Sequence, residues 1–295
     1  MSNNQSVSFL IDATGIVLKY WFAMPQIKTR NYESISAFVG FSNFVKKFLE
    51  LHKPKYICFA FDESLGTCFR NNIFRDYKAN RPAAPNELKI QFSLCREFLD
   101  ILGMRNFASK KYEADDIIYT LSRKNARENI QNIVITNDKD LYQVINTKDI
   151  WWNLSNKKLS YSDIERSLGF SLKYFPDFQA LTGDPVDNIP GAPGIGKITA
   201  TYLIKRYKTI DEIYRNFQSI KLVEKGKYSK VLDILIKNEK TIYMSKKLVT
   251  LNVINEIELN HVRMSPNQDK LAKFLDKVGV NRNTIKVWDR FLACQ

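Results

Sequence analysis

Three short apolar runs in this chain each end on aspartate. VSFLI (Val7 to Ile11) runs into Asp12, YICFAF (Tyr56 to Phe61) into Asp62, and NIVIT (Asn132 to Thr136) into Asp138 and Asp140. Each is about one strand long and rich in β-branched or aromatic residues. Helical spacing fills the gaps between them. Ile35, Phe38, Phe41, Val45, Phe48 and Leu49 mark one helix, and Phe92, Cys95, Phe98, Leu99 and Leu102 a second. Ala114, Ile117, Ile118 and Leu121 mark a third, with the i, i+3, i+4, i+7 pattern of a core-facing stripe. Strands alternating with helices predict an α/β fold whose central sheet is mainly parallel and flanked by helices. Such sheets place their sites beyond the carboxyl ends of the strands, which is where Asp12, Asp62 and Asp138 fall.

The stretch YEADDII adds Glu113, Asp115 and Asp116 within four consecutive positions. They avoid the core stripe and occupy the first helical turn, whose positive end tolerates them. Two such charges ~4 Å apart still repel by about 4 kcal/mol at an effective dielectric of ~20. The chain nevertheless carries 45 Lys+Arg against 31 Asp+Glu, a net charge of +14. A basic protein that concentrates acid in one place is expected to hold cations there. A single Asp at a strand end is ordinarily a cap or turn residue. The weight lies on the whole set: Asp12, Asp62, Glu113, Asp115, Asp116, Asp138, Asp140, Asp184 and Asp187. All-oxygen ligation points to a hard cation, Mg²⁺ or Mn²⁺. Only His52 and His261 are present, far apart, which argues against structural zinc.

The positive surplus favours a polyanionic partner, nucleic acid first and an anionic membrane surface second. Hydrophobic residues at 44% and aromatics at 13% exclude a mainly disordered chain. Cys58, Cys68, Cys95 and Cys294 form no CxxC and are expected to be reduced thiols of a cytoplasmic protein. The opening MSNNQSVSFLIDATG has no basic segment ahead of its short apolar run, so no signal peptide is expected. No stretch approaches the ~20 apolar residues of a membrane span.

Two basic features complete the pattern. Arg70 and the run Tyr77-Lys78-Ala79-Asn80-Arg81-Pro82 follow the strand ending at Asp62, so they start near the acid edge. Cations there could hold and polarise a phosphate that the carboxylates would repel. PGAPGIGKITA (Pro190 to Ala200) precedes a helical pattern, so its N–H groups form an anion nest, with Lys197, Lys205, Arg206 and Lys208 adding charge. A dinucleotide fingerprint is absent, because Thr199 stands where its last glycine would be and no strand precedes. Grip on a DNA backbone fits best.

Together these residues resemble the structure-selective 5′ nucleases, the family of the N-terminal nuclease domain of bacterial DNA polymerase I and of the phage flap endonucleases. The resemblance spans about Ser8 to Leu251. FAFD, RDYKANRPAAP, YEADDIIYTL, ITNDKDLYQ and LTGDPVDNIPGAPGIGKITA carry it. One departure is DATG, where relatives commonly have Gly at the place of Ala13. The resemblance implies a resolvase/PIN-like nuclease core with a helical arch and a C-terminal helix–three-turn–helix region. The corresponding divisions are 1–170 for the core, 79–102 of it for the arch, 171–265 for the DNA-binding region and 266–295 for a helical extension. It assigns Asp12, Asp62, Glu113 and Asp115 to a first metal, and Asp116, Asp138, Asp140, Asp184 and Asp187 to a second. Lys78 and Arg81 match the pair that contacts the scissile phosphate, and Tyr77 the position of a residue stacking on a nucleobase. Arg70 and Gly194, Ile195, Gly196, Lys197, Ile198 and Thr199 are expected at the DNA. In some relatives K⁺ binds main-chain carbonyls at the positions of Leu181, Thr182, Pro190, Ala192 and Ile195.

The implied activity is Mg²⁺-dependent cleavage of 5′ ends and flaps of branched DNA, with two ions ~3.5–4 Å apart and products ending in 5′-phosphate and 3′-hydroxyl. The implied setting is Okazaki-fragment or repair processing by a cytoplasmic monomer. No polymerase is expected within the 295 residues, so a polymerase partner would be a separate chain. Two other classes stay open at this point: a junction-binding module that does not cut, and a ribonuclease of a related acidic fold.

Overall fold

The computed structural model describes residues 6–29, 34–216, 229–255 and 260–293. Six strands form one sheet: β1 (Val7–Asp12), β2 (Tyr56–Asp62), β3 (Arg105–Ser109), β4 (Gln131–Ile135), β5 (Ile150–Trp152) and β6 (Lys158–Ser160). Their order is β3-β2-β1-β4-β5-β6, parallel except for the final β5–β6 pair. β1 lies at the centre, with Leu10 opposite Cys58 on one side and Val134 on the other. Its four middle residues are buried, as a strand covered on both faces requires. The chain leaves β1 in one direction through β2 and β3, then crosses back to β4. That reversal opens a crevice at the carboxyl ends of β1 and β4.

The three apolar runs are β1, β2 and β4. The other three strands carry weak patterns: every residue of RNFAS in β3 is half-buried, and β5 and β6 are three residues each. Edge strands bury one face only, and short ones show no measurable period.

One face of the sheet is covered by α1 (Ala13–Ala23), α2 (Ser36–His52), α4 (Asn86–Ile101) and the last two helices, Gln268–Val278 and Arg282–Ala293. Phe38 meets Phe98 and Phe274 edge-on with ring centres 5.5 and 5.8 Å apart, and Phe98 meets Trp288 at 5.1 Å. Short α3 (Phe69–Ile73) follows β2, and the other face carries α5 (Ala114–Arg127) and then the helices that follow β6, beginning with α6 (Tyr161–Leu168).

Part of the stretch expected to form an arch over 79–102 is a helix with one face buried. Leu88, Gln91, Cys95, Phe98 and Leu99 of α4 are buried, and the Gln91 side chain accepts the Phe38 N–H at 3.1 Å. The reason is the aromatic stripe itself, which is worth more against α2 than in solvent. Continuous exposure is found at 79–83 and 85–87, and Lys89, Ile90, Ser93, Glu97 and Asp100 are exposed on the outer side of α4. Cys58, Cys68 and Cys95 are buried free thiols, and Cys294 lies outside the described residues. No described helix is long and apolar enough to cross a membrane.

The Gly/Pro-rich stretch links α7 (Phe175–Thr182) to α8 (Lys197–Tyr207). Asp184 and Ile189 exchange both backbone hydrogen bonds, at 2.9 and 2.7 Å, closing a small loop that carries Asp184 and Asp187. Gly191 packs this loop onto the end of α7. It has φ +59°, and a Cβ there would stand 2.3 Å from the Gly183 nitrogen. Gly66 is also left-handed (φ +77°) but has open space around it. We expect Gly66→Ala to cost about 1 kcal/mol in urea unfolding, from backbone strain alone. Gly191→Ala should cost clearly more, because backbone must also move. Equal losses would show that the loop does not pack as described.

Candidate active site

Each strand end delivers its acid by a local rule. Asp12 ends β1 and caps α1, where its Oδ1 accepts the Gly15 N–H at 3.1 Å. Its Oδ2 accepts the Thr136 hydroxyl at 2.9 Å, which ties β1 to the end of β4. Asp62 ends β2, and its Oδ1 accepts the Ala114 N–H at 2.7 Å, at the start of α5. Asp138 accepts the Asp140 N–H at 2.8 Å, so the turn after β4 presents both acids. Gln179 of α7 reaches Asp140 Oδ1 at 2.5 Å, joining the helical region to the sheet edge. Asp140, Asp184 and Asp187 bring one carboxylate oxygen each to within 4.8 Å of one another.

Electrostatics confirms that the groups face one another. Burial and then Asp62 push the Asp12 carboxyl up to about 6. Burial and then Asp138, Asp184 and Asp187 push Asp140 up to about 8. Asp115 is raised by burial and by Asp138, Asp62 and Asp12. Asp62 keeps solvent on one edge, yet the surrounding protein still raises it, ahead of the opposing pull of Lys78. The acids thus form two overlapping groups: Asp12, Asp62, Asp115 and Asp138, and then Asp138, Asp140, Asp184 and Asp187. Carboxylates left this close and this dry favour protons or cations. An all-oxygen donor set with unrelieved repulsion fits a hard divalent ion, so the site passes the chemical test for one.

Asp116 stands apart from both groups. It is fully buried, and its two oxygens accept Arg70 at 2.7 and 2.9 Å, the Glu113 N–H at 3.2 Å and the Asn252 N–H at 3.0 Å. Both oxygens of this residue, expected from sequence among the second metal's ligands, are thus engaged by protein donors. Adjacent helical residues point about 100° apart, so Asp115 and Asp116 serve opposite sides. Arg70, expected at the DNA, is the partner of Asp116 and is 1% exposed. Tyr77 is 4% exposed, with its hydroxyl donating to Glu113 at 2.9 Å, so it does not offer a face for stacking in this conformation.

Lys78 and Arg81 do reach the acid edge. Lys78 pairs with Glu113 and, at 3.4 Å, with Asp187, and Arg81 pairs with Asp187. Lys78 adopts a left-handed φ of +55°, held there by its N–H donating to the Asp187 carbonyl at 3.0 Å. Below them, Gly194, Gly196, Lys197 and Ile198 are exposed and Thr199 half-buried. Ile195 is buried, so only its backbone could face a ligand. The carbonyls of Leu181 and Ala192 already accept the Ala192 and Ile195 N–H groups at 2.9 and 2.8 Å. Sequence reading missed Thr136, Thr14, whose hydroxyl accepts the Asp62 N–H at 2.8 Å, and Gln179. Thr14 and Thr136 lie two residues from a predicted acid, a signal that was available. Gln179 had none.

If repulsion dominates this edge, Asp140→Asn should raise the stability of metal-free protein. Divalent ion at about one hundred times its dissociation constant should add roughly 2.7 kcal/mol to the wild type and much less to the variant. Urea unfolding with chelator and with Mg²⁺ measures both. Destabilisation by Asp140→Asn under chelator would contradict the electrostatic account.

Residues 7–169 match the family model for the 5′-3′ exonuclease N-terminal resolvase-like domain, and residues 171–271 that for the 5′-3′ exonuclease C-terminal SAM fold. A 5′-3′ exonuclease of Buchnera aphidicola subsp. Baizongia pistaciae is 33% identical over 262 residues, covering 87% of this chain and 86% of the relative. DNA polymerase I of Caldicellulosiruptor bescii is 31% identical over 258 residues, covering 85% of this chain but 29% of that polymerase. The chain therefore spans under a third of the length of that relative. Among solved structures, T5 5′-exonuclease with bound divalent metal ions (zinc) superposes at a TM-score of 0.66, covering 97% of this chain and 98% of that one at 16% identity. The catalytic core of Rad2 in complex with DNA substrate also gives 0.66, covering 98% and 91% at 16% identity. At such identity these two likenesses speak for the fold. The two domain models match in consecutive order and together take in every strand-end acid and the glycine hairpin, and on that ground the chain belongs to the 5′-3′ exonuclease family.

Proposed function

We propose that the protein is a structure-selective, Mg²⁺-dependent 5′-3′ exonuclease and 5′ flap endonuclease that hydrolyses DNA phosphodiesters to 5′-phosphate and 3′-hydroxyl products. One observation carries this reading. Acids from β1, β2, β4, α5 and the α7–α8 loop meet at one sheet edge, with Lys78 and Arg81 paired onto them. Asp12, Asp62, Glu113 and Asp115 would hold one ion, and Asp138, Asp140, Asp184 and Asp187 the other. When bound, such ions supply Lewis-acid activation of water and charge stabilisation at the leaving oxygen.

The chain's own residues do the rest. Asp12 and Asp138 are oriented by Thr136 from opposite sides, its hydroxyl donating to one and accepting the other's N–H, both at 2.9 Å. Lys78 and Arg81 exchange their carboxylate partners for the scissile phosphate and offset its developing charge. The N–H groups of Gly194 and of Gly196 to Thr199, with Lys197, hold the duplex backbone without reading sequence. The short exposed segment at 79–87 borders the path of the single strand. K⁺ at the carbonyls of Leu181, Thr182, Pro190, Ala192 and Ile195 would steady the same hairpin, as would Mn²⁺ replace Mg²⁺.

In this reading residues 1–170 form the nuclease core, 171–265 the DNA-binding region and 266–295 a helical extension packed back on the core. The protein acts in the cytoplasm as a monomer, on branched DNA with a 5′ single-stranded arm, in Okazaki-fragment or repair processing beside a DNA polymerase.

An end-labelled 5′ flap, a nicked duplex and an RNA substrate, each with Mg²⁺ and with chelator, test the activity. Flap cleavage that needs Mg²⁺ is the expected result. Asp138→Ala should reduce cleavage to the assay floor with flap binding in chelator intact. Lys78→Ala should lower kcat by on the order of 10²–10³-fold. Asp138→Ala that cuts like wild type would remove the second ion from the reading. RNA cleaved in preference to the flap would replace the substrate class.

A further inference from the structure

Arg70 has no free donor. Its Nε donates to the Leu248 carbonyl at 2.7 Å. Its NH1 donates to Glu113 Oε2 at 2.9 Å and Asp116 Oδ2 at 2.7 Å, and its NH2 to Asp116 Oδ1 at 2.9 Å and the Thr250 carbonyl at 3.3 Å. These five bonds exhaust a guanidinium. Leu248 is in the last turn of the long helix Ser229–Val249, whose terminal carbonyls lack partners within the helix. The guanidinium is therefore locked between α5 and the C-terminal helical region.

Glu113 is held by this fixed group. Its Oε2 accepts Arg70 and the Tyr77 hydroxyl, both at 2.9 Å, and all three residues are buried. Its Oε1 accepts Lys78, whose side chain also lies by Asp187, and the Asp116 N–H closes onto the Glu113 side chain at the start of α5. One oxygen is anchored by rigid donors and the other is shared with a flexible one. Burial alone would push Glu113 up, but Lys78 and then Arg70 outweigh it and hold the carboxyl below its ordinary value. Asp12 and Asp140 move the opposite way.

We propose that Arg70 and Tyr77 are positioning residues for Glu113: they pin Oε2, leaving Oε1 as the oxygen available to a divalent ion. This rests on the reading of Glu113 as a ligand given above. Asp116 is the counter-ion that fixes Arg70. Neither Arg70 nor Tyr77 touches DNA.

The test uses the full chain. Mn²⁺ affinity is read by electron paramagnetic resonance without DNA, and flap affinity is read in chelator. Tyr77→Phe removes one hydroxyl and keeps the ring. It should weaken Mn²⁺ binding by about 10-fold or more, within the range for groups that orient a ligand. Flap affinity should stay at the wild-type value, and high Mg²⁺ should restore part of the lost kcat. Arg70→Lys keeps the charge but not the five-donor fork, and should show the same pattern more strongly. If Arg70→Lys does not fold by circular dichroism, Tyr77→Phe decides alone. Weaker flap binding with unchanged Mn²⁺ affinity would overturn the proposal and make Tyr77 a DNA contact. Unchanged Mn²⁺ and flap affinities would overturn it too. Wild-type protein that binds no Mn²⁺ would instead sink the metal reading on which it rests.

Discussion

Repulsion among carboxylates at the carboxyl edge of the sheet is the constraint on which the rest of the molecule turns. Water would screen these charges, but the fold withdraws part of it, leaving Asp12, Asp115 and Asp140 half-buried and Asp62 and Asp138 exposed, and lost hydration is still the largest influence on Asp12, Asp115, Asp138 and Asp140 alike. A structure that holds such groups together must pin each one. It does so with N–H groups at helix starts and turns, with the Thr136 hydroxyl and with Gln179. These are local bonds of ordinary strength, and each fixes an acid against its neighbours' push.

Cations enter this edge at graded depth. Arg70 is sealed inside and spent on structure. Lys78 has 12% of its side chain exposed and Arg81 39%. The innermost cannot leave without stranding Asp116, a buried charge whose one ion pair among the described residues is with Arg70. The outer two have only acids to release. The same charge type thus serves opposite ends: one cation makes the site rigid, and the others are placed to meet an anion. The net charge of +14 describes the surface of this protein, while its sheet edge is locally acidic.

Much of this was legible in the residues. β1, β2 and β4 are apolar on both faces, and central parallel strands cannot be otherwise. β3 was not legible, because RNFAS is half-buried at every position, and β5 and β6 are too short to show a period. The helix over 92–102 was visible by its stripe but not its partner. Phe98 packs on Phe274 and Trp288, far along the chain, so the helical part of the segment read as arch lays one face on the core. Gln179 likewise reaches Asp140 across 39 positions. Contacts of that separation leave no periodic trace.

By itself the sequence determined the local commitments. Strand-end aspartates, acids in the first turn of α5 and glycines at the α7–α8 loop follow from backbone geometry and the helix dipole, which act over a few residues. Only the tertiary structure decided which acids belong together. Asp115 and Asp116 are neighbours of the same chemistry, yet one joins Asp12, Asp62 and Asp138 and the other is taken by Arg70, 46 positions away. The physical reason is that the turn of a helix aims adjacent side chains in different directions, and what waits in each direction is supplied by chain that is distant in sequence.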